Sequence, residues 1–261
     1  PVAVDNIIRM PNLPAPDRPA WATADEYHTG GGMANTAAWL AHFGTRVRFS
    51  GRTLGYDEYG DLVIERFKRI PTLDLTYLER RADVRTPICR VMVTPDGQRT
   101  FLNFWFHLSP ETPLTTEMLD GARFLLGDRH ASDKPLEAAE IAHAHGVPDI
   151  LVSDIVTLAH PTLPLTTIIH NSADLIRGRL PGVDVRKHVH ALREVNRGIA
   201  ILTDSAKPVY VIRRDGSTFT VTPPKVEVVD ATGAGDALRA GLAYGLLQGW
   251  SLENAVCFGV A

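Results

Sequence analysis

Apolar positions recur along the chain with two alternating periods, one typical of helices and the other of strands. Spacings of three and four residues predict a helix over 33–43, where Ala37, Leu40 and Ala41 share one face. The same spacing predicts further helices over 57–69, 135–145 and 236–249. Short apolar runs between the helices predict strands at 46–50, 149–153 and 226–229. Strands that alternate with helices in this way indicate an α/β fold.

Two segments have the pattern of β-hairpins. The first joins 88–94 to 99–106 through the turn Pro95-Asp96-Gly97, and the second spans 208–222 with a turn at Asp215-Gly216-Ser217. Both alternating faces of the first hairpin are partly apolar. We therefore expect that hairpin to cover another surface, as a lid does.

Composition narrows the class of protein. The chain has 261 residues, 44% of them hydrophobic, which is enough for one large core, so we expect a single domain over 1–261. A net charge of -3 with scattered basic residues favours neither nucleic acid nor an anionic membrane surface as a partner. No apolar run approaches the roughly 20 residues that span a bilayer. Because only two cysteines are present, a reducing cytoplasm is the expected location.

The ends of the chain carry a separate signal. The sequence begins without a methionine, and it stops inside the apolar helical pattern of residues 252–259. Natural domains seldom end within a buried pattern. We therefore expect that residues are missing at the ends.

The strongest chemical signal is Asp230-Ala231-Thr232-Gly233-Ala234-Gly235-Asp236, between a predicted strand and a predicted helix. Its glycines permit close approach of a ligand to the backbone, and the first amides of a helix attract anions. A carboxylate at such an anion site would be repelled unless it accepts a proton from an attacking hydroxyl. Asp236 is therefore a candidate base for phosphoryl transfer. The local residues also allow a simple tight turn in which Asp236 complements the helix dipole.

A second glycine-rich segment, Gly30-Gly31-Gly32, opens the helix predicted over 33–43. Three glycines let a ligand approach the backbone. Asn35, one turn into the helix, offers both a donor and an acceptor for a sugar hydroxyl. A flexible turn with Asn35 as a local cap is the alternative.

These two motifs, in this order and at this spacing, resemble the signatures of the PfkB (ribokinase-like) family of carbohydrate kinases. The amino-terminal signature resembles GGGMANTAAWLAHFGTRVRFSGRTLGYDEYGD at 30–61, and the carboxyl-terminal one resembles VVDATGAGDALRAGLAYGLLQG at 228–249. The resemblance covers nearly the whole chain. It implies a three-layer α/β/α sandwich with a mostly parallel central sheet and a small β-sheet lid. We expect the lid to be formed by roughly 8–29 and 84–106.

The resemblance also implies roles for individual residues. The catalytic base falls on Asp236, with an anion hole formed by the backbone of Gly233, Ala234 and Gly235. Sugar-binding positions fall on Gly31, Gly32, Asn35 and on Asp5, at the end of the first predicted strand. Nucleotide-binding positions fall on Thr203, Ser205, Thr232, Gly233 and Gly235.

ATP and Mg²⁺ are implied by the same resemblance, with the metal near Asn171 and Asp174 and contacted through water. A requirement for a monovalent cation is left open. The resemblance also implies a homodimer in which the lids pair, which an apolar lid and an exposed sheet edge would favour.

Within the family, the chain most resembles the ketohexokinase branch. Leu13-Pro14-Ala15-Pro16-Asp17 matches a segment in which that branch places a second sugar-binding aspartate, here Asp17. Asp128-Arg129-His130-Ala131-Ser132 resembles its arginine-containing loop, and bacterial sulfofructose kinases share a similar Arg-His pair. The resemblance favours a fructose-like ketose or a related sugar acid as acceptor, and Arg129 would suit an anionic one. Ordinary solvated side chains are the alternative for both Asp17 and Arg129.

Two stretches depart from the family pattern. Many members carry Asn-x-x-Glu near the phosphates, whereas this chain has Asn171-Ser172-Ala173-Asp174, with a carboxylate one methylene shorter. A Thr-x-Gly pattern on the nucleotide side appears as Thr203-Asp204-Ser205, without the glycine. These departures motivate one alternative, a non-catalytic sugar or nucleotide sensor on the same fold. A nucleoside kinase of the same family is a second alternative. A nicotinamide oxidoreductase is disfavoured, because Leu238 interrupts the glycine fingerprint.

Overall fold

The computed structural model describes residues 2–112, 114–128, 134–228 and 231–261. The chain divides into two compact units, Pro1–Thr112 and Pro113–Ala261. Each unit contains its own sheet and its own hydrophobic core, so the two are described separately. None of the helices in the described ranges is long and apolar enough to cross a membrane.

The first unit contains two helices and a four-stranded sheet. Its strands are β1 (Ala3–Arg9), β2 (Ala24–Gly30), β3 (Val47–Arg48), β4 (Leu54–Gly55), β5 (Leu73–Asp74), β6 (Arg80–Arg81), β7 (Ile88–Val93) and β8 (Arg99–Phe104). Its helices are α1 (Gly32–His42) and α2 (Glu58–Phe67). The sheet has the order β2-β1-β7-β8, in which β1 runs antiparallel to β2 and parallel to β7. Two short parallel pairs, β3 with β5 and β4 with β6, complete the unit.

The predictions made from local sequence can be compared with the strands of the first unit. The hairpin predicted around Pro95-Asp96-Gly97 is confirmed, since β7 and β8 pair antiparallel and the Gly97 amide donates to the Thr94 oxygen at 2.9 Å. The strand predicted at 46–50 is shorter than expected, because only the two residues of β3 pair with β5. Val4, Val63 and Ile88 are buried together and join β1, α2 and β7 in one core.

Asp57 ties the start of α2 to the segment that precedes β7. Its carboxylate accepts hydrogen bonds from the Gly60 and Thr86 amides, each at 2.9 Å. Burial acts to raise the pKa of Asp57, but these hydrogen bonds outweigh burial and leave the pKa below its usual value. A Cβ at Gly60 would overlap the Gly55 backbone oxygen. The Gly-Tyr-Asp-Glu-Tyr-Gly stretch at 55–60 is therefore explained by local folding.

The second unit is an α/β/α arrangement around a six-stranded sheet. Its strands are β9 (Phe124–Asp128), β10 (Asp149–Ser153), β11 (Ile168–Ser172), β12 (Ile199–Thr203), β13 (Val209–Ile212) and β14 (Thr218–Val221). Its helices are α3 (Lys134–Ala144), α4 (Ala173–Arg179), α5 (Val185–Asn196), α6 (Ala234–Leu247) and α7 (Leu252–Val260). The strand order is β14-β13-β12-β11-β10-β9, with β9 to β12 parallel and the hairpin β13–β14 antiparallel at one edge.

The apolar runs of β10, β11 and β12 are buried on both faces, as expected for parallel strands covered by helices. Leu151 and Ile201 pack with Leu242 and Val256 of α6 and α7 on one face. Side chains of α3, α4 and α5 pack on the other face, against Ile169 and its neighbours. Within this unit the sheet is thus the middle of three layers.

The strand predicted at 226–229 is wrong for the described part, because residues 226–228 have no regular secondary structure. Val226 and Val228 are 68% and 65% exposed. The Val-Glu-Val pattern has strand propensity, but a strand also needs a neighbour with which to pair. Among the described strands, none pairs with this segment.

Helices α6 and α7 meet at glycines, which leads to a stability prediction. A Cβ at Gly241 would lie 2.6 Å from the Gly259 Cα, whereas a Cβ at Gly178 in α4 would meet nothing within 4 Å. Gly241→Ala should therefore destabilise the fold by about 1–3 kcal/mol through overpacking. Gly178→Ala should instead stabilise it by up to about 1 kcal/mol through helix propensity. Urea denaturation of both variants checks this, and a Gly241→Ala variant as stable as Gly178→Ala would contradict the close crossing.

Candidate active site

Polar side chains gather at the carboxyl ends of the parallel strands in the second unit. Asp128 ends β9, Ser153 ends β10 and Thr203 ends β12. In register, Ser153 pairs with Asp128, and Ser172 of β11 pairs with Thr203. Open α/β sheets bind their ligands at this edge. Asn171 and Thr203, which were predicted to lie near a metal ion and a nucleotide, are therefore on adjacent strands at the expected edge.

Helix α6 begins at the predicted glycine-rich turn. Gly233 has a φ of 81°, a left-handed conformation that glycine reaches at little cost, and Ala234 is the first helical residue. The Ala234 amide donates to the Ala231 oxygen at 3.3 Å, so that amide already takes part in the turn. A Cβ at Gly235 would lie 3.7 Å from Cε1 of His170. The first turn of α6 therefore lies beside the end of β11.

Asp236 lies in this first turn and forms an ion pair with Arg239, one turn further along α6. Nη2 of Arg239 donates to Oδ1 of Asp236. The two side chains are only 7% (Arg239) and 14% (Asp236) exposed, so the pair is largely removed from water. Arg239 was not among the residues predicted from the sequence. Its signal was a charged residue inside an otherwise apolar helical pattern.

His170 of β11 lies on the other side of Arg239 and was also missed. Nη1 of Arg239 is 3.3 Å from Nδ1 of His170, and Nε2 of His170 is 3.4 Å from Oγ1 of Thr203. Burial, together with the charge of Arg239, lowers the pKa of His170 to about 3. The imidazole is therefore neutral near neutral pH. Its position directly before Asn171 was the only sequence signal.

The residues predicted to lie near magnesium occupy the end of β11 and the first turn of α4. Asn171 is buried and its Nδ2 donates to the Ile155 oxygen at 2.8 Å, while its Oδ1 has no hydrogen-bond partner among the described residues. Asp174 is largely exposed and accepts from Arg177 at 2.9 Å. Arg177 also holds Asp204, again at 2.9 Å.

These oxygens are of the kinds that Mg²⁺ accepts, and a phosphate-bound Mg²⁺ needs only one or two carboxylates from the protein. The described residues contain no cluster of three or more His, Cys, Asp or Glu suited to a metal. Asn171 and Asp174 therefore fit a hydrated magnesium ion shared with phosphates. Arg177 offsets part of the charge that Asp174 would offer to it.

Of the other two residues predicted to contact a nucleotide, Ser205 follows β12 and Thr232 precedes α6. Ser205, two residues after β12, has a φ of 51°, the left-handed region that favours glycine. The serine thus adopts the backbone conformation for which glycine is suited. Thr232 is exposed directly before Gly233.

The predicted sugar-binding residues form a separate group in the first unit. Asp5 lies within β1 rather than at its end as predicted, because β1 continues beyond it in register with β2 and β7. A Cβ at Gly30 would overlap the Asp5 carboxylate, which therefore lies against the chain just before α1. Gly31, with a φ of 98°, caps α1, and Gly32 and Asn35 lie in its first turn. Four of the six predicted residues are thus brought together.

The other two residues of that set are Asp17 and Arg129. Asp17 is exposed between β1 and β2, with a φ of 57°. Arg129 lies outside the described residues, so its role remains a prediction from sequence.

Similarity to known proteins identifies the family of this chain. A sequence model of the family described as pfkB family carbohydrate kinase matches residues 2–261. The chain is 26% identical over 257 residues to an aminoimidazole riboside kinase from Salmonella typhimurium, covering 87% of this chain and 76% of that protein. It is 29% identical over 282 residues to an acarbose 7(IV)-phosphotransferase from Actinoplanes sp., covering 98% of this chain and 86% of that protein.

The structure is similar to that of Arabidopsis thaliana ribokinase complexed with ribose and ATP, with a TM-score of 0.85 at 21% identity, covering 99% of this chain and 88% of that one. This similarity establishes a ribokinase-like α/β fold. The family match extends over nearly the whole chain and includes both glycine-rich turns. The chain therefore belongs to the pfkB family of carbohydrate kinases and is a phosphotransferase.

Proposed function

We propose that this kinase transfers the γ-phosphoryl group of ATP to a hydroxyl group of a small sugar. The observation that carries the proposal is the start of α6. There a glycine turn opens a helix amino terminus beside the end of β11, with Asp236 in the first turn. A helix amino terminus favours the phosphate, and the carboxylate accepts the proton of the attacking hydroxyl.

The transfer balances within these groups. The acceptor oxygen forms a bond to the γ-phosphorus, and the bond from that phosphorus to the bridging oxygen breaks, so that ADP leaves with the electron pair. The hydroxyl proton passes to Asp236. The amides of Gly233, Ala234 and Gly235 stabilise charge on the transferring group through the helix dipole. Thr203, Ser205 and Thr232 contact the nucleotide.

Magnesium, when bound, neutralises charge on the phosphate oxygens during transfer. Asn171 and Asp174 would hold it, through water. Because Arg177 already pairs with Asp174, we expect a weakly held ion that arrives with the nucleotide.

For the acceptor we propose a fructose-like ketose or a related sugar acid. Asp5, Gly31, Gly32 and Asn35 bind its hydroxyls, and the lid segments 8–29 and 84–106, with Asp17, cover it. Arg129 pairs with an acidic group where the acceptor has one. A second candidate is a riboside, favoured by the similarity to aminoimidazole riboside kinase. A homodimer formed through the lid and a cytoplasmic location complete the proposal.

The test is ADP release from ATP and magnesium across a panel of acceptors. The panel holds fructose, sulfofructose, 2-keto-3-deoxygluconate, ribose, aminoimidazole riboside and adenosine, with phosphorylated products identified by mass. A product from one of the first three supports the proposal, whereas a product only from a riboside or adenosine supports the nucleoside alternative. Stabilisation by ATP and a sugar without any ADP release would favour a non-catalytic sensor.

The strained turn after β12 allows a prediction about nucleotide affinity. The left-handed conformation costs a non-glycine residue about 1 kcal/mol with and without nucleotide, so it affects stability rather than affinity. The Cβ of Ser205, in contrast, hinders approach of a ligand to the backbone. Ser205→Gly should therefore lower the KM for ATP by about two- to fivefold. Arg197→Gly is the matched control, because Arg197 has a φ of 53° at the end of α5. A KM for ATP that is unchanged in Ser205→Gly would mean that the nucleotide does not approach this turn.

A further inference from the structure

We propose that Arg239 is a positioning residue that orients the Asp236 carboxylate, and that His170 holds Arg239 in place for this task. The inference rests on the proposed function, because it assigns a role to a residue that touches the base rather than the substrate.

The orientation follows from the two carboxylate oxygens of Asp236. Oδ1 accepts from Nη2 of Arg239. Oδ2 lies on the side of the glycine turn, 3.8 Å from where a Cβ of Gly233 would be. Fixing one oxygen on a guanidinium therefore fixes which oxygen faces the turn. A base held in this way loses little freedom when the acceptor hydroxyl arrives.

Arg239 is itself held from the far side. A guanidinium has only donors, so the contact with His170 requires Nδ1 of the imidazole to accept. The neutral ring then carries its proton on Nε2 and donates to Oγ1 of Thr203. The Thr203 hydroxyl donates in turn to the Asn171 backbone oxygen at 3.4 Å. The base is thus connected across α6, β11 and β12 to a residue predicted to contact the nucleotide.

Stability alone is a weak reason for this arrangement. Removing an ion pair from water costs about as much as the pair gains by attraction, and a well-packed apolar pair is often as stable. Nε of Arg239 is buried without a hydrogen-bond partner among the described residues, which adds to that cost. Orientation of the carboxylate therefore explains why α6 has a buried arginine beside the proposed base.

The experiment compares Arg239→Gln with Arg239→Lys in the full-length protein, using whichever acceptor the panel identifies. Arg239→Gln should lower kcat by about 10- to 100-fold and leave both KM values within about threefold, because the base remains but is no longer oriented. Arg239→Lys, which keeps the charge but not the two-sided fork, should recover part of kcat. A rise in either KM that accounts for the loss would mean that Arg239 binds substrate, and would overturn the inference.

Arg213→Gln is the matched control for loss of an arginine–carboxylate pair. Arg213 pairs with Glu253 in the same unit. It directly follows Ile212, which pairs with Ala200 near the start of β12, whereas the proposed site lies at the other end of that strand. We expect this variant to lose stability at unchanged kcat. An equal loss of kcat in Arg213→Gln and Arg239→Gln would show a structural effect and overturn the inference.

A double-mutant cycle tests whether Arg239 acts through Asp236. In an Asp236→Asn background, Arg239→Gln should have no further effect on kcat, since there is no base left to orient. Independent, multiplying effects would overturn the inference while leaving the proposed function intact. No ADP release from the wild type with any acceptor would overturn the proposed function and, with it, this inference.

His170 is tested by two replacements of different chemistry. The amide of His170→Asn can still accept from Arg239 near the Nδ1 position, whereas His170→Phe has no acceptor. We expect kcat to fall several-fold in His170→Phe and to stay within about twofold of wild type in His170→Asn. Equal kcat values in the two variants, at matched thermal stability, would contradict the role assigned to His170.

Discussion

Asp236→Asn is expected to lower kcat for sugar phosphorylation by about 10²- to 10⁴-fold, the usual contribution of a general base. The amide has nearly the same shape and its oxygen can still accept from Arg239, so the first turn of α6 should keep its geometry. What it loses is the capacity to take the acceptor proton. Stabilisation by ATP should therefore persist at near wild-type concentrations of nucleotide. Steady-state kinetics and thermal shifts with ATP check both parts.

Asp83→Asn is the control for this measurement. Asp83 also pairs with an arginine, Arg81, but the pair is exposed on the surface of the first unit. Its replacement should leave kcat unchanged. If Asp236→Asn retained kcat within about threefold of wild type, the assignment of the base would be wrong, however well the family match holds.

The second large effect is a loss of stability in mild acid. The pKa of His170 is about 3 in the folded chain and near 6.5 in the unfolded chain. At pH values between these two, the imidazole is therefore protonated in the unfolded state and neutral in the folded state. The free energy of unfolding therefore falls as pH drops below about 6.5, at up to about 1.4 kcal/mol per pH unit. Between pH 6.5 and pH 5 this amounts to about 2 kcal/mol.

Urea denaturation at about pH 7, 6 and 5 measures this slope in the wild type and in His170→Asn, which cannot titrate. The variant should show a slope smaller by close to one proton. Asp57 and Asp204 also have lowered pKa values, but carboxylates with lowered pKa values affect stability only near and below about pH 4. His160→Asn is the internal comparison, because burial also lowers the pKa of His160. Equal slopes for wild type and His170→Asn would refute the buried neutral state.

Short-range patterns in the sequence predicted most of the elements correctly. Helix spacing and turn residues are local properties, so the helices at 33–43, 57–69 and 135–145 and both hairpins match α1, α2, α3 and the strand pairs. The α6 helix begins two residues before the predicted start at 236, because Gly233 terminates the turn and Ala234 already follows helically. The local pattern failed where strand pairing decides the structure, as at 226–228, which has strand-like residues but pairs with none of the described strands.

Part of the candidate site could be predicted from local sequence, and part of it depends on tertiary structure. Each glycine-rich turn is a contiguous stretch of sequence, and the second one leads directly into Asp236, so their chemistry could be inferred before any fold was known. Arg239 and His170 are 69 residues apart, and nothing local says that α6 lies against the end of β11. Only the tertiary structure brings a guanidinium between the carboxylate and a neutral imidazole.

By itself, therefore, the sequence determined the alternation of helices and strands, the family, and the turn that carries Asp236, because each depends on residues close together along the chain. Tertiary structure alone decided the strand order, the place of Asp5 within β1, and the surroundings of Asp236. These depend on which distant segments pack together and how much water they exclude. Burial then set the protonation state of His170, which no local pattern could have indicated.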